Sequence, residues 1–219
     1  MADNRKVNPS RIAPFILALT LTALCSDKGF NPPPAAAART YPAHEAHDDE
    51  KVAIAVDPFD TAEKAEVFKV KYREYGFLPV RLIISNDGDK PLMLDDMKIE
   101  FVTAGKDKLR PAVRDDIFRR LVRPEKAAGG PTVHFPIPVP HNHKPISKEA
   151  RDEIDLALFR TVPVTPQSTN SGFVFFDVLG IENPEDHAHI YISGIKSGTQ
   201  ELFYFDIPLD DYLKRPAAR

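Results

Sequence analysis

The sequence predicts a mainly β domain with a helical insertion, on three observations. Short runs rich in branched and aromatic residues recur over 52–103 and 172–209, each bounded by Gly, Pro, Asn or Asp. Two stretches between them carry apolar residues at helical spacing instead. The one cysteine stands at position 25, so no disulfide can form within the domain that follows, and burial must hold it together. That domain is expected to span residues 51–213, with 214–219 as a disordered tail.

In chain order, Val52, Ile54 and Val56 alternate as a strand and stop at Asp57-Pro58. Residues 60–76 fit two patterns. Ala62, Ala65, Phe68 and Tyr72 share a helical face behind an Asp60 or Thr61 cap, whereas Phe68, Val70 and Tyr72 also alternate. A short helix running into irregular chain is expected. Phe77–Ser85 is a strand that enters the turn Asn86–Pro91, where Asp87-Gly88 offers the positive φ of a tight hairpin. Leu92–Leu94 and Met97–Thr103 resume the strand pattern. Near the end, Gly172–Leu179, Ala188–Ile195 and Glu201–Leu209 are further strands, the last two joined by a short loop at Lys196–Thr199. Alternation in the last strand predicts Phe203 and Phe205 inward and Tyr204 outward.

Two helices interrupt the strands. Pro111–Val122 places Val113, Ile117 and Leu121 four residues apart, and Pro124 stops it. Ser147–Phe159 begins at a capping serine and puts Ala150, Ile154, Ala157 and Leu158 on one face. Between them, residues 129–144 are rich in Pro and His. Prolines 136, 138 and 140 forbid a central strand and predict an extended edge segment.

The N-terminus reads as an address. Arg5, Lys6 and Arg11 precede an apolar run from Ile12 to Leu24. A run of about 13 residues fits a secretory signal and is too short to span a bilayer. Residues 1–25 are therefore expected to direct export to the periplasm, outer membrane or cell surface. Leu21-Thr22-Ala23-Leu24-Cys25 resembles a bacterial lipoprotein signal, which implies a lipidated Cys25 and a membrane anchor. Leu24 departs from the small residue of that pattern, and cleavage after Ala23 or within Ala35–Ala38 is the alternative. Residues 26–50 hold Pro, Ala and charge with little large apolar surface, which predicts a flexible tether. A net charge of −3 gives no field directed at nucleic acid.

The order strand, turn Asn86-Asp87-Gly88-Asp89-Lys90-Pro91, strand, long insertion, Ser171-Gly172-Phe173-Val174-Phe175-Phe176-Asp177 and closing hairpin resembles bacterial exported immunoglobulin-like β-sandwich domains, over about residues 77–103 and 165–209. The resemblance implies an immunoglobulin-like β-sandwich with a helical insertion, working in binding or envelope structure. It brings no catalytic residues.

Histidine pairs are the main candidates for chemistry. His187 and His189 would share a strand face, and His141 and His143 flank Asn142; imidazoles so spaced suit zinc or copper. His44 and His47 could join one helical turn. Residues 141–143 spell His-Asn-His, but the nuclease of that name spreads its residues over a metal fold, so the string is a coincidence. Asp87-Gly88-Asp89 and the pair Asp57 and Asp60 could offer oxygens to calcium, although turn conformation alone explains the first. Ser168–Gly172 lacks the strand-to-helix context of a nucleophile elbow, and Asp210-Asp211-Tyr212 reads as a solvated terminus. The expected function is a non-enzymatic, envelope-displayed binding or structural module with a protein or envelope partner, met through the 129–144 loop and the helices. The alternatives are a metal-binding protein using His187, His189, His141 and His143, and an unrecognised hydrolase.

Overall fold

The computed structural model describes residues 30–122 and 146–214. These form a mainly β architecture with antiparallel sheets. The first sheet contains β1 (His44–His47), β2 (Val52–Pro58), β3 (Phe77–Asn86) and β7 (Ser168–Asp177), in the order β1-β2-β3-β7. The second contains β5 (Lys98–Val102), β6 (Lys108–Leu109), β8 (His189–Ser193) and β11 (Phe205–Pro208), in the order β11-β8-β5-β6. A small third sheet joins β4 (Leu92–Met93), β9 (Lys196–Ser197) and β10 (Gln200–Glu201).

One apolar core lies between the first two sheets. Ile54 pairs with Ile84 and Val80 with Val174 on one side, and Ile99 with Ile192 and Phe101 with Ile190 on the other. Full burial of such a side chain stabilises by about 1.5–3 kcal/mol, and no disulfide adds to it.

The first sheet is covered on its outer face as well, which explains why every residue of β2 and β3 is buried. Phe77, Phe173 and Phe175 point outward into a second cluster with Phe68, Tyr72 and Ile154. That layer is built by α2 (Arg114–Val122), α3 (Lys148–Ala157) and the chain on either side of α1 (Ala62–Ala65), from Phe59 and from Val67 to Tyr75. Thr61 caps α1 and Ser147 caps α3, each accepting a backbone N–H three residues on. Arg120 pins α2 to β7 through Asp177, with Nη1 to Oδ1 at 2.8 Å, and lies over the Phe77 ring. Glu153 of α3 is 2% exposed. Its carboxylate accepts Lys69 N (2.5 Å), Val70 N (3.2 Å) and Tyr72 Oη–H (2.9 Å), fixing the irregular segment after α1.

Several expectations need correction. Residues 30–50 belong to the domain and are not a tether. Phe30 stacks on Phe68 at 5.3 Å, and β1 pairs with β2. Ala38 packs against Ala53, Ala55 and Ile83, while its N–H donates to Ser85 Oγ at 2.9 Å. Small side chains let this backbone lie flat on the sheet, so hydrogen bonds and close packing hold it without large apolar residues. His44 and His47 consequently lie on a strand, not a helical turn. Residues 26–29 and 215–219 lie outside the described residues.

The Asn86–Pro91 turn does not make a hairpin. β3 pairs with β2 and β7, and the turn carries the chain to β4 in another sheet. Gly88 takes no positive φ. Asn86 shapes the crossing, accepting Gly88 N (3.0 Å) and donating to Lys90 O (2.8 Å) and Val164 O (3.0 Å). Phe203 is 74% exposed, not inward, because Leu202 takes the buried place and bonds back to Ile195 O before β11 starts. Residues 210–212 open a short helix, α4 (Asp210–Leu213), whose Tyr212 is buried, so this end is not a solvated terminus. The 111–122 helix starts at Arg114, because Pro111 and Ala112 bond to β7.

Candidate binding cleft

The two large sheets approach each other along two seams, and the seams are closed differently. At the first, β1 lies beside β11. Glu45 accepts Asp206 N, and Glu50 Oε1 accepts Phe203 N at 3.1 Å, so carboxylates stand in for a strand ladder. His47 fills the gap, stacked on Phe205 at 4.0 Å with Nδ1 2.8 Å from Glu50.

The second seam is left partly open. β6 pairs only with Phe101 and Val102. Pro111 then turns the chain toward β7, where Ala112 N donates to Phe175 O at 2.7 Å. Lys98, Ile99 and Glu100 therefore have no partner strand on that side among the described residues. Opposite them, the chain leaving α3 bonds to β7 through Phe159 N and Phe173 O at 2.8 Å. Gly172 permits this approach, since a Cβ there would sit 2.5 Å from Phe159 Cα.

The result is a cleft of about 780 Å³ between β5, the 110–114 turn, the α3 exit and β7. Ile99, Leu158, Phe159, Phe173 and Val174 give it an apolar lining that runs into the core. An apolar side chain also stands out at its rim, where Val113 is 62% exposed. Around this apolar bed stand Lys98, Glu100, Arg110 and Arg114. Glu100 bonds Lys108 at 2.8 Å, and that hydrogen bond holds its carboxyl below the ordinary range. Arg114 pairs with Asp155, which is held low in the same way. Lys98 and Arg110 make no ion pair among the described residues.

Such an arrangement can hold an extended chain. The unpaired side of β5 offers backbone donors and acceptors, the lining offers apolar contact at alternate positions, and the rim supplies charge. Among the described residues, no His, Cys or Ser lines the cleft, and the one carboxylate that does is tied to a lysine.

The described histidines do not converge on it. His189 opens β8 and pairs with Asp206, whereas His187 precedes the strand with φ +51° and faces Asp210 at 3.5 Å. The two therefore do not share a strand face, because the chain turns between them. His44 Nδ1 meets Tyr41 O at 2.6 Å. His134, His141 and His143 lie outside the described residues, as do Cys25 and the 129–144 segment. Among the described residues, no three His, Cys, Asp or Glu side chains are placed to hold a metal ion. No helix among them is long and apolar enough to cross a membrane.

A second polar cluster ties the C-terminal end to β2. Lys64 Nζ donates to Asp57 Oδ1 (2.5 Å), Pro58 O (2.9 Å) and Tyr212 Oη (3.2 Å), and Tyr212 donates to Asp60. Burial and the Asp60 carboxylate raise the Tyr212 hydroxyl above its ordinary value, so it stays a donor. Glu185 is 5% exposed, and burial pushes its carboxyl up, with Arg73 3.7 Å away as partial compensation. Asp57 and Asp60 thus serve a lysine and a tyrosine in place of calcium.

Sequence reasoning missed the cleft, although one signal was present. Lys108-Leu109-Arg110-Pro111 is a strand cut short by a proline, and a truncated neighbour leaves an edge exposed. No family model and no curated protein matches the chain. A solved structure described as "The crystal structure of a functionally unknown protein from Listeria monocytogenes EGD-e" is similar at 11% identity and a TM-score of 0.30, covering 73% of each chain.

Proposed function

We propose that this protein is a non-enzymatic binding module that holds an extended segment of a partner protein along β5. The observation that carries this reading is the side of Lys98–Glu100 that lacks a strand among the described residues and opens on an apolar cleft. Backbone pairing supplies affinity in this mode, and side-chain pockets at alternate positions supply selectivity. The signal-like residues 1–25 and the position of Cys25 support display at the cell envelope, by lipid anchor or after conventional cleavage. Two four-stranded antiparallel sheets around one core support the immunoglobulin-like reading of the sandwich.

The test uses the full chain in cells. A photo-crosslinking amino acid replaces Val113 at the rim or, as a control, the exposed Leu213 on α4. The expected result is an adduct from position 113 alone, mapping to one linear segment of another protein. No adduct at 113, or equal adducts from both positions, overturns the proposal.

A further inference from the structure

We infer that the segment taken up by the cleft is acidic, an extended strand that alternates apolar residues with carboxylates. This rests on the reading of the cleft as a strand-binding site and deepens it. Along β5, Ile99 points toward the core while Lys98 and Glu100 point to the opposite face. A strand laid beside β5 would do the same. Its inward residues would meet Ile99, Phe159 and Val174, and its outward residues would lie across from Lys98 and Glu100.

The charges around that track are unequal. Glu100 is satisfied by Lys108, and Arg114 by Asp155. Lys98 and Arg110 are exposed and without a direct ion pair among the described residues, and Glu100, already bonded to Lys108, feels both at longer range. An incoming strand therefore meets two cations that no direct ion pair engages. Opposite charges directly across a ladder stabilise the pair and like charges destabilise it. Carboxylates opposite Lys98 and within reach of Arg110 would also steer the approach, whereas lysines there would be repelled. Val113 adds exposed apolar surface at the rim, which fits a segment whose other residues are aliphatic.

The experiment uses the full chain and two short capped peptides of alternating Thr and Val. One peptide carries Glu and the other Lys at the central polar positions. Exchange of the Ile99 amide reports occupancy, because alternate residues of β5 turn their N–H to β8 and Thr103 N, on the same side as Ile99 N, donates across to Asp107 O; titration reports affinity. The expected result is that the Glu peptide protects this amide and binds about tenfold more tightly than the Lys peptide at low salt, with the gap narrowing as salt rises. The variants Lys98→Glu and Arg110→Glu should reverse the order. Both positions are exposed, and a circular dichroism spectrum matching the parent chain reports that each variant folds. Equal protection by both peptides overturns the acidic inference and leaves the cleft reading standing. If neither peptide protects the Ile99 amide, both fall. If the Ile99 amide is already protected in the free protein, the edge is filled by this chain or a second copy, and both fall again.

Discussion

Replacing Glu153 with alanine should destabilise the domain by about 3–5 kcal/mol, for reasons confined to one side chain. Its buried carboxylate accepts three hydrogen bonds, from Lys69 N, Val70 N and the Tyr72 hydroxyl. A bond to a charged group contributes about 1.5–3 kcal/mol net, so three sum to at least about 4.5 kcal/mol. Relief from burying the carboxylate offsets part of this, which brings the estimate to about 3–5 kcal/mol. At about 2–4 °C per kcal/mol for a domain of this size, Tm should fall by about 6–20 °C. The chain contains no tryptophan, so urea unfolding is followed by tyrosine fluorescence and circular dichroism. Glu153→Gln keeps an acceptor but turns an amide NH₂ toward a donor, and should lose about half as much. Tyr72→Phe combined with Glu153→Ala should be non-additive by more than about 0.5 kcal/mol, because the two share one bond. A loss below about 1 kcal/mol for Glu153→Ala, or strict additivity with Tyr72→Phe, would refute the claim that this carboxylate fixes the segment after α1.

Three other perturbations have defined outcomes. Gly172→Ala drives a methyl group into the Phe159 backbone and should lose about 1–3 kcal/mol in urea unfolding while speeding amide exchange at Phe159; unchanged stability would contradict the tight crossing. Glu185 has a raised pKa in the fold, so the native state holds its proton more tightly than the unfolded chain, and stability declines as pH rises from about 4.3 through the folded value. Glu185→Gln should flatten that decline and raise stability at neutral pH, read from urea midpoints across pH 4–8; parallel pH profiles for the two chains would contradict it. Mass analysis of the membrane-extracted protein should find a diacylglyceryl group on Cys25, and an unmodified N-terminus at or beyond residue 26 would remove the anchor.

What the sequence exposed and what it hid divide on whether the signal is local. β3, β7, β8 and β11 were legible because each carries its own run of branched or aromatic residues, and Ser147 announced α3 by its cap. β1 was not legible, since His-Glu-Ala-His has no strand composition. It forms because β2 offers an edge and because Glu45 and Glu50 bond the backbone of β11 across the seam. The double burial of β3 could be read as an apolar run, but not the identity of what covers its outer face, which comes from three separate segments. The cleft is the extreme case. It is made by a missing partner, and no residue type marks a place where a strand is not. Only Pro111 records it, by denying β6 a third residue, and its meaning emerges once β5 and β7 are seen to stand on either side. The histidine pairs attracted attention because metal chemistry has a residue signature, whereas backbone recognition has none. A chain that binds through an unpaired strand edge will therefore look featureless in sequence, and its unpaired cations, Lys98 and Arg110, will look like ordinary surface until the edge between them is found.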